Sequence, residues 1–322
     1  MSGAGNLPAA ASQAARLVPR DFVRSPQALE TLFSTAEAEA YTRWLATHHY
    51  ENFQVVSFLL PKRLHQDFYN VYAYCRWADD LGDEMGSPAE SLRLLAWWRR
   101  QLEAMYAGEA SHPVFVALRG TVARHAIPQA PFADLIRAFE QDQTVTRYPS
   151  WEDVYAYCRY SANPVGRLVL YLCGYSDPER QRLSDATCTA LQLANFWQDV
   201  AVDLEKDRVY IPLEVLARHG YPLQDLYARR MTPAFREVMR EIAARARELF
   251  VAGLPLPSMV DRRLALDLDL FSRGGLRVLD KIAEQDYDVL SRRPAISKAE
   301  RVRLLLGAVL RTALRAAFSR AA

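Results

Sequence analysis

Apolar residues recur at intervals of three and four along almost the whole chain. The spacing is clear over residues 64–77, 154–172, 260–279 and 301–318, and it places apolar side chains on one face of an α-helix. Short alternating runs joined by Asn-Gly or Asp-Gly turns, which would indicate β-hairpins, do not occur in the sequence. Prolines fall between the periodic blocks, where helices break or begin. The pattern predicts an all-α fold of about nine or ten helices.

The composition allows a large buried core and excludes several classes of protein. Half of the 322 residues are hydrophobic, which excludes a largely disordered chain. The 40 Lys and Arg residues nearly balance the 38 Asp and Glu residues, and the net charge is +2. This balance lacks the basic excess of nucleic-acid-binding proteins, so we expect no nucleic-acid partner.

The beginning of the chain differs from the rest. Residues 1–20 contain no acidic residue and many Ala and Ser, so we expect residues 1–30 to form a flexible tail, with a transit peptide as the alternative. Residues 31–322 contain no linker-like stretch and are predicted to form one domain. Four cysteines without CxxC or zinc-ligand spacing indicate a reducing, cytoplasmic location. No segment reaches the run of about 18 apolar residues that a membrane span needs.

The first acidic cluster lies in the segment CRWADDLGDE, residues 75–84. Asp79 and Asp83 are four residues apart, so both project from one helical face. Like charges at this spacing repel by about 0.2–0.5 kcal/mol, and no Lys or Arg follows within one turn to relieve the repulsion. A solvated acidic helix end would explain the cluster, and a functional site is the other interpretation.

A second polar ridge follows much later in the chain. Gln192, Asn195, Asp199 and Asp203 are spaced three, four and four residues apart, and apolar residues surround them. Carboxylates on a mostly buried helix are expected to face a cavity or an ion. An ordinary solvated face with basic neighbours is the alternative.

Two helical faces with oxygen ligands at this spacing suit hard divalent cations. Mg²⁺ prefers oxygen ligands and binds through one or two carboxylates plus waters and substrate phosphates. We therefore expect a cluster of Mg²⁺ ions that grips a diphosphate. His-based metal ligation, a GxSxG nucleophile and a Gly-rich phosphate loop have no support in the sequence. The many aromatic residues beside these clusters suggest a cavity in which diphosphate leaves and a carbocation remains.

The two acidic segments resemble those of the squalene/phytoene synthases, a family of all-α class I isoprenoid synthases. The resemblance covers roughly residues 47–298 and is most specific in VYAYCRWADDLGD and QLANFWQDVAVDLEKDRVYIP. It implies a single-domain helical bundle around a central cavity. It also implies that Asp79 and Asp83 form the first catalytic Mg²⁺ motif and that Asp199 and Asp203 form the second, with Asn195 as a further metal ligand.

The family resemblance also implies which residues contact the substrate. These are Arg76, Arg208 and Tyr210 at the diphosphate, Gln192 and Asn195 beside the second motif, Tyr72 and Tyr160 near the reacting carbons, and Arg292 and Lys298 as further basic residues.

The departures from the family pattern indicate the reaction. The usual His-Ser-x-Ser-Phe run is HYENF here, so Asn52 replaces a serine next to Phe53, and both are expected to contact substrate. The Val-Ala-Gly run after the cavity tyrosine is replaced by a segment containing Asn163. Gly274 and Gly275 fall where several members carry a diphosphate-binding Tyr.

Together these segments resemble the bacterial hydroxysqualene synthase branch, which serves squalene and hopanoid synthesis. That resemblance implies conversion of presqualene diphosphate and water to hydroxysqualene and diphosphate, without NADPH. Asn163 is predicted to orient the capturing water, and a helix cap before the following proline is an equal alternative. Other enzymes of the same route are candidate partners.

Two other functions stay open. The first is head-to-head condensation of two prenyl diphosphates, such as farnesyl diphosphate, by a squalene, dehydrosqualene or phytoene synthase-type reaction. The second is a non-catalytic family member that acts as an assembly factor, although all four motif aspartates are present.

The last predicted helix carries Arg301, Arg303, Arg311 and Arg315 on an apolar background. A packed final helix with a solvated basic face is the ordinary interpretation. Peripheral contact with an anionic inner-membrane surface is the alternative.

Overall fold

The computed structural model describes residues 16–48 and 61–321, with side chains described as far as Arg311. Within these ranges the chain forms fifteen α-helices, eleven of them ten residues or longer, and no strand. A single β-bridge joins Arg147 and Val209. The prediction of an all-α fold is confirmed, although short connecting helices raise the number above nine or ten.

The described residues divide into two compact units, whereas the sequence predicted one domain. The first unit extends to Thr144 and includes Tyr171–Gly174, and the second comprises Val145–Leu170 and the chain from Tyr175 onward. Two of the boundaries fall in short connections between helices and one falls inside the helix Asn163–Leu172, so no change of composition marks them in the sequence.

The first unit contains the first seven helices. Their bounds are α1 (Pro19–Phe22), α2 (Pro26–Glu30), α3 (Thr35–His48), α4 (His65–Asp83), α5 (Pro88–Tyr106), α6 (Pro113–His125) and α7 (Ala130–Gln141).

Aromatic side chains form the core of the first unit. Trp77 of α4 stacks on Trp98 of α5 with ring centroids 5.0 Å apart, and the edge of His112 lies 4.4 Å from Trp77. Burial lowers the pKa of His112 to about 3, so this ring is neutral. Phe22 is buried against Trp77. The prediction of a flexible tail is therefore wrong for residues 16–30, because α1 contributes an aromatic side chain to this core.

Buried polar groups fix α4 against α3 and α6. The Asn70 amide donates to Thr121 at 3.0 Å and accepts from Thr42 at 2.6 Å. Thr121 in turn donates to Asp67 at 2.7 Å, and His125 lies 3.0 Å from the same carboxylate. Because buried polar groups are costly unless hydrogen-bonded, this network specifies how α4 is seated.

The second unit contains the remaining eight helices. Their bounds are α8 (Trp151–Ser161), α9 (Asn163–Leu172, whose last two residues belong with the first unit), α10 (Pro178–Glu205), α11 (Leu213–Arg218), α12 (Leu223–Tyr227), α13 (Pro233–Gly253), α14 (Arg262–Glu284) and α15 (Lys298–Ala321).

The long helix α10 is the centre of the second unit. Asp177 caps its first turn by accepting from the Arg180 N–H at 3.0 Å. Trp197 is fully buried and donates its indole N–H to the Ile242 carbonyl of α13 at 3.1 Å. A Cβ atom at Gly253 of α13 would lie 2.1 Å from Thr187 Oγ1 of α10. Glycine at this position therefore allows α13 and α10 to pack closely. These contacts hold rigid the helix that carries the second acidic ridge.

The hexapeptide VYAYCR occurs twice in the sequence, at residues 71–76 in α4 and at residues 154–159 in α8. Its second tyrosine is buried in the core in both copies, as Tyr74 of α4 and Tyr157 of α8. Its first tyrosine is half-buried in both, as Tyr72 and Tyr155. Similar burial of two amphipathic helices therefore accounts for the repetition.

None of the helices in the described part of the chain is both long enough and apolar enough to cross a membrane.

Candidate functional site

The first acidic cluster lies on the last turns of α4. Asp79 is 46% exposed and Asp83 is also exposed, so both carboxylates face outward from α4, as the spacing predicts. The end of the helix is held in place because the Gly82 carbonyl accepts from Ser91 at 3.0 Å and from Gln143 at 3.1 Å. A Cβ on Gly82 would lie 3.3 Å from Phe139, which explains a glycine within this helix.

Arg76 is surrounded by carboxylates on the same helix. It forms an ion pair with buried Asp80 and lies 3.6 Å from Asp79 and 3.5 Å from Glu84. Arg76 precedes the aspartates, so the absence of a basic residue in the turn that follows them does not leave them without a counter-charge. The role of Asp80 as a partner of Arg76 is not visible in the sequence spacing of Asp79 and Asp83. Burial raises the pKa of Asp80 to about 7, against the opposing effect of Arg76.

Four predicted residues share this face of α4. Tyr72, Arg76, Asp79 and Asp83 follow one another at intervals of four, three and four residues along the helix. Tyr72 and Arg76 are half-buried, whereas the carboxylates are more exposed. The face therefore changes from aromatic to acidic toward its end.

The second acidic ridge lies on the last turns of α10, and its two carboxylates have different surroundings. Asp199 forms a bidentate ion pair with Arg293, in which Nη2 lies 3.2 Å from Oδ2. Next to it, Gln198 donates to the Pro294 carbonyl at 2.6 Å. These contacts bind the segment before α15 to α10.

Arg293 is a residue that the sequence analysis missed. The prediction named Arg292, which is exposed and whose carbonyl accepts from Gln285 at 3.0 Å. The two arginines are adjacent, and 94 residues separate Arg293 from Asp199, so no local pattern distinguishes them. Lys298, also predicted, is exposed as the first residue of α15.

Asp203 has basic neighbours but no direct pairing with them. No hydrogen bond or ion pair joins its carboxylate to another residue in the described ranges, and Asp199 lies one helical turn away. Burial, reinforced by the charge on Asp199, raises the pKa of Asp203 to about 7, against the opposing charges of Arg208 and Lys206. A divalent cation between these carboxylates would add the positive charge that the two basic residues only partly supply, so the donor set fits Mg²⁺.

Asp203 also lines a small cavity with Arg208 and Tyr210. The remaining lining residues are Phe196, Val200, Leu204, Val209, Ile211 and Leu226. Tyr210 is buried and stacks on Phe196 with centroids 3.7 Å apart. The Arg208 N–H donates to the Asp203 carbonyl at 2.9 Å. The loop after α10 therefore folds back and brings a basic side chain beside the acidic ridge.

Asn163 is the first residue of α9 and is buried. Its side-chain oxygen accepts from Thr189 Oγ1 of α10 at 2.9 Å. Its amide nitrogen has no hydrogen-bond partner among the described residues. Tyr160 lies half-buried near the end of α8. The side chain of Asn163 thus links two helices and retains an available donor.

The other predicted residues lie along the α10 ridge or outside the described chain. Gln192 is half-buried and Asn195 is exposed, two turns and one turn before Asp199. Asn52 and Phe53 lie outside the described residues. Among the described residues, no three His, Cys, Asp or Glu side chains converge as a ready-made metal centre. A Mg²⁺ site here would need phosphate oxygens and water to complete it.

Gly275 on α14 lies where a side chain has no room. A Cβ there would meet Phe250 Cζ at 2.1 Å, whereas a Cβ on the adjacent Gly274 would meet nothing within 4 Å. A side chain at position 275 therefore has no space beside Phe250.

We expect Gly275→Ala to lower the free energy of unfolding by about 1–3 kcal/mol, because Phe250 must move. Gly274→Ala is the matched control and should be neutral or stabilise the helix by up to about 1 kcal/mol. Urea denaturation of both variants measures the difference. Equal stability of the two variants would contradict the packing explanation.

The sequence is similar to those of a known protein family. Residues 46–300 match the squalene/phytoene synthase family. A hydroxysqualene synthase of Rhodopseudomonas palustris is 34% identical over 85% of this chain and 93% of its own length. A phytoene synthase of Thermus thermophilus is also 34% identical, over 81% of this chain and 89% of its own.

Solved structures show the same fold. The crystal structure of squalene synthase HpnC from Alicyclobacillus acidocaldarius superposes with a TM-score of 0.76 at 45% identity, covering 79% of this chain and 95% of that one. A dehydrosqualene synthase complex has a TM-score of 0.76 at 24% identity, covering 85% and 96% of the two chains. The all-α fold of the isoprenoid synthases is thereby confirmed, and the chain belongs to the squalene/phytoene synthase family.

Proposed function

We propose that this protein converts presqualene diphosphate and water to hydroxysqualene and diphosphate. The observation that carries the proposal is similarity to two hydroxysqualene synthases, from Rhodopseudomonas palustris and Sinorhizobium fredii. Each is 34% identical and matched over 93% of its length. The two acidic helix faces support the same reaction, because a departing diphosphate needs positive charge that such faces can hold.

The carboxylates of Asp79, Asp83, Asp199 and Asp203 would hold Mg²⁺, with Asn195 as a further oxygen ligand. When bound, Mg²⁺ supplies Lewis-acid neutralisation of the diphosphate charge. Arg293 orients Asp199 through its bidentate contact.

Basic and aromatic side chains act on the substrate itself. Arg208 lies beside Asp203 in the cavity lining and is placed to donate charge-assisted hydrogen bonds to phosphate oxygens. Aromatic faces, for which Tyr72 and Tyr160 are the candidates, stabilise positive charge on carbon. These interactions favour cleavage of the carbon–oxygen bond to diphosphate.

Water capture completes the reaction. The carbocation rearranges, the oxygen of one water forms the new carbon–oxygen bond, and the proton that this water loses passes to the released diphosphate. We assign orientation of this water to the Asn163 amide nitrogen, because the side-chain oxygen is already engaged by Thr189.

Replacing Asn163 with Ala should reduce the hydroxysqualene share of the products about tenfold or more, since a preorganised donor is lost. Thr189→Val removes the hydrogen bond between Thr189 and Asn163 but keeps the side-chain amide of Asn163. It should cost about 1 kcal/mol of stability and leave the product ratio unchanged. Product analysis by gas chromatography and mass spectrometry measures both. An equal shift in the two variants would assign Asn163 a packing role only.

Substrate choice tests the reaction as a whole. The purified protein is incubated with Mg²⁺ and either presqualene diphosphate or farnesyl diphosphate. We expect hydroxysqualene in the incubation with presqualene diphosphate and no product in the incubation with farnesyl diphosphate. A product formed from farnesyl diphosphate alone would instead establish head-to-head condensation, a reaction that similarity to the Thermus thermophilus phytoene synthase also fits.

A further inference from the structure

The last helix, α15, packs on α14 through one face only. Ala308 is fully buried, and Arg311 donates to buried Asp269 of α14 at 2.7 and 2.9 Å. At the start of the helix, Glu300 pairs with Arg277 of α14. These three positions of α15 define its inner face, and the packed final helix expected from the sequence is present.

The opposite face of α15 is apolar and exposed. Five aliphatic side chains occupy it at helical spacing, and we call them the outer stripe: Val302, Leu305, Leu306, Val309 and Leu310. Leu306 is 63% exposed and Leu310 is 61% exposed. Isolated exposed apolar residues are common, but a contiguous stripe over three turns is typical of a helix face that is buried against something else.

The charge around the outer stripe indicates what covers it. Arg301 and Arg303 are exposed beside the stripe. No acidic residue follows Glu300 in the sequence, whereas Arg315 and Arg320 add to the positive charge. The surface is therefore apolar and basic together, which suits an apolar layer with negatively charged headgroups.

A second copy of this chain would fit the outer stripe less well than an anionic membrane does. Pairing two outer stripes would bring the arginines of both helices together without an acidic partner on either. Like charges in close proximity oppose such an interface. A bilayer instead offers negative charge at the depth where Arg side chains extend from a partly inserted helix.

We propose that α15 lies in the surface of an anionic membrane, with the outer stripe inserted among the lipid chains and Arg301 and Arg303 at the headgroups. In this arrangement the helix lies along the bilayer surface. The proposal concerns attachment and is independent of the reaction proposed above.

Flotation of the full-length protein with vesicles tests the proposal. We expect binding to vesicles of phosphatidylcholine mixed with phosphatidylglycerol and little binding to phosphatidylcholine alone. Leu306→Ser with Leu310→Ser should weaken binding about tenfold or more, because two inserted side chains are lost. The matched control is Leu32→Ser with Val251→Ser, which removes two other exposed apolar side chains. It should leave binding unchanged.

A second pair of variants tests the charge. Arg301→Gln with Arg303→Gln should also weaken binding about tenfold or more. Arg262→Gln with Arg263→Gln changes the net charge equally at exposed positions of α14 and should have little effect. Failure of the unaltered protein to float with anionic vesicles would overturn the proposal. So would a dimer in sedimentation analysis that the leucine variant dissociates, because the outer stripe would then be an interface between copies.

Discussion

Replacing Asp79 and Asp203 together with Asn should reduce turnover by about a thousand-fold or more while the protein stays folded. Each substitution removes a negative charge from one acidic helix face and keeps the shape of the side chain. Loss of electrostatic stabilisation at a site of charge development typically costs about 10²–10³ in rate for a single group. Product formation across a range of Mg²⁺ concentrations measures the loss, and thermal unfolding measures the fold.

The structure explains why folding should survive this change. Asp79 is 46% exposed and lies 3.6 Å from Arg76, whose ion pair with Asp80 the substitution leaves in place. Asp203 has no hydrogen bond or ion pair among the described residues, and its charge is disfavoured by burial. The two substitutions therefore leave the Arg76–Asp80 ion pair intact and remove a buried charge that costs stability.

A matched control separates the site from general charge effects. Glu90→Gln with Glu248→Gln removes two exposed carboxylates, one from each unit, and should leave turnover unchanged. Undiminished turnover in the Asp79 and Asp203 variant would show that these carboxylates do not hold the metal. Full cellular function despite lost turnover would instead support the non-catalytic assembly role.

The sequence predicted most of the helical fold because periodicity and proline positions are local signals. Helix α10 illustrates this, since its Asp177 cap and proline start are both visible in the sequence. The short helices α1 and α2 were missed because each is four or five residues long. Their order comes from contacts such as Phe22 on Trp77, which link distant segments.

For the candidate site, too, the local spacing of residues was predictable and the contacts between distant residues were not. The spacing of Asp79 with Asp83 and of Asp199 with Asp203 follows from helical geometry, and their outward or half-buried positions agree with it. The partners of these carboxylates were not predictable. Arg293 approaches Asp199 only after the chain has passed through two further long helices, α13 and α14, so no spacing rule connects the two residues.

Two buried aspartates on α14 lie two residues apart and have opposite surroundings. Asp269 is fully buried and paired with Arg311. Asp267 is 2% exposed, and neither of its oxygens has a hydrogen-bond partner among the described residues. Burial, reinforced by the charge on Asp261, raises the pKa of Asp267 to about 7. A carboxyl group in this position is held in its neutral form up to about neutral pH.

This shift predicts a pH dependence of stability. The unfolded chain releases the Asp267 proton near pH 4, roughly the usual value for aspartate, whereas the folded protein retains it up to about pH 7. The folded state therefore binds more protons over this range, and its stability falls as the pH rises. Between about pH 5 and pH 7.5 the loss from this group amounts to about 2–3 kcal/mol.

Asp267→Asn should abolish that part of the loss, because the amide does not ionise. The stability advantage of the variant over the unaltered protein should therefore grow by about 2–3 kcal/mol between about pH 5 and about pH 7.5. Urea denaturation at both pH values measures this difference. Other buried acids such as Asp80 and Asp203 are present in both proteins, so their contributions cancel in the comparison.

Asp269→Asn is the contrasting variant on the same helix. It leaves the Arg311 guanidinium without its buried carboxylate partner, so it should destabilise the protein by about 3 kcal/mol at both pH values. If Asp267→Asn lost as much stability between the two pH values as the unaltered protein, Asp267 would be ionised in the folded state. The pairing of Asp269 with Arg311 is thus expected to stabilise α14 on α15, while the neighbouring Asp267 costs stability as soon as it ionises.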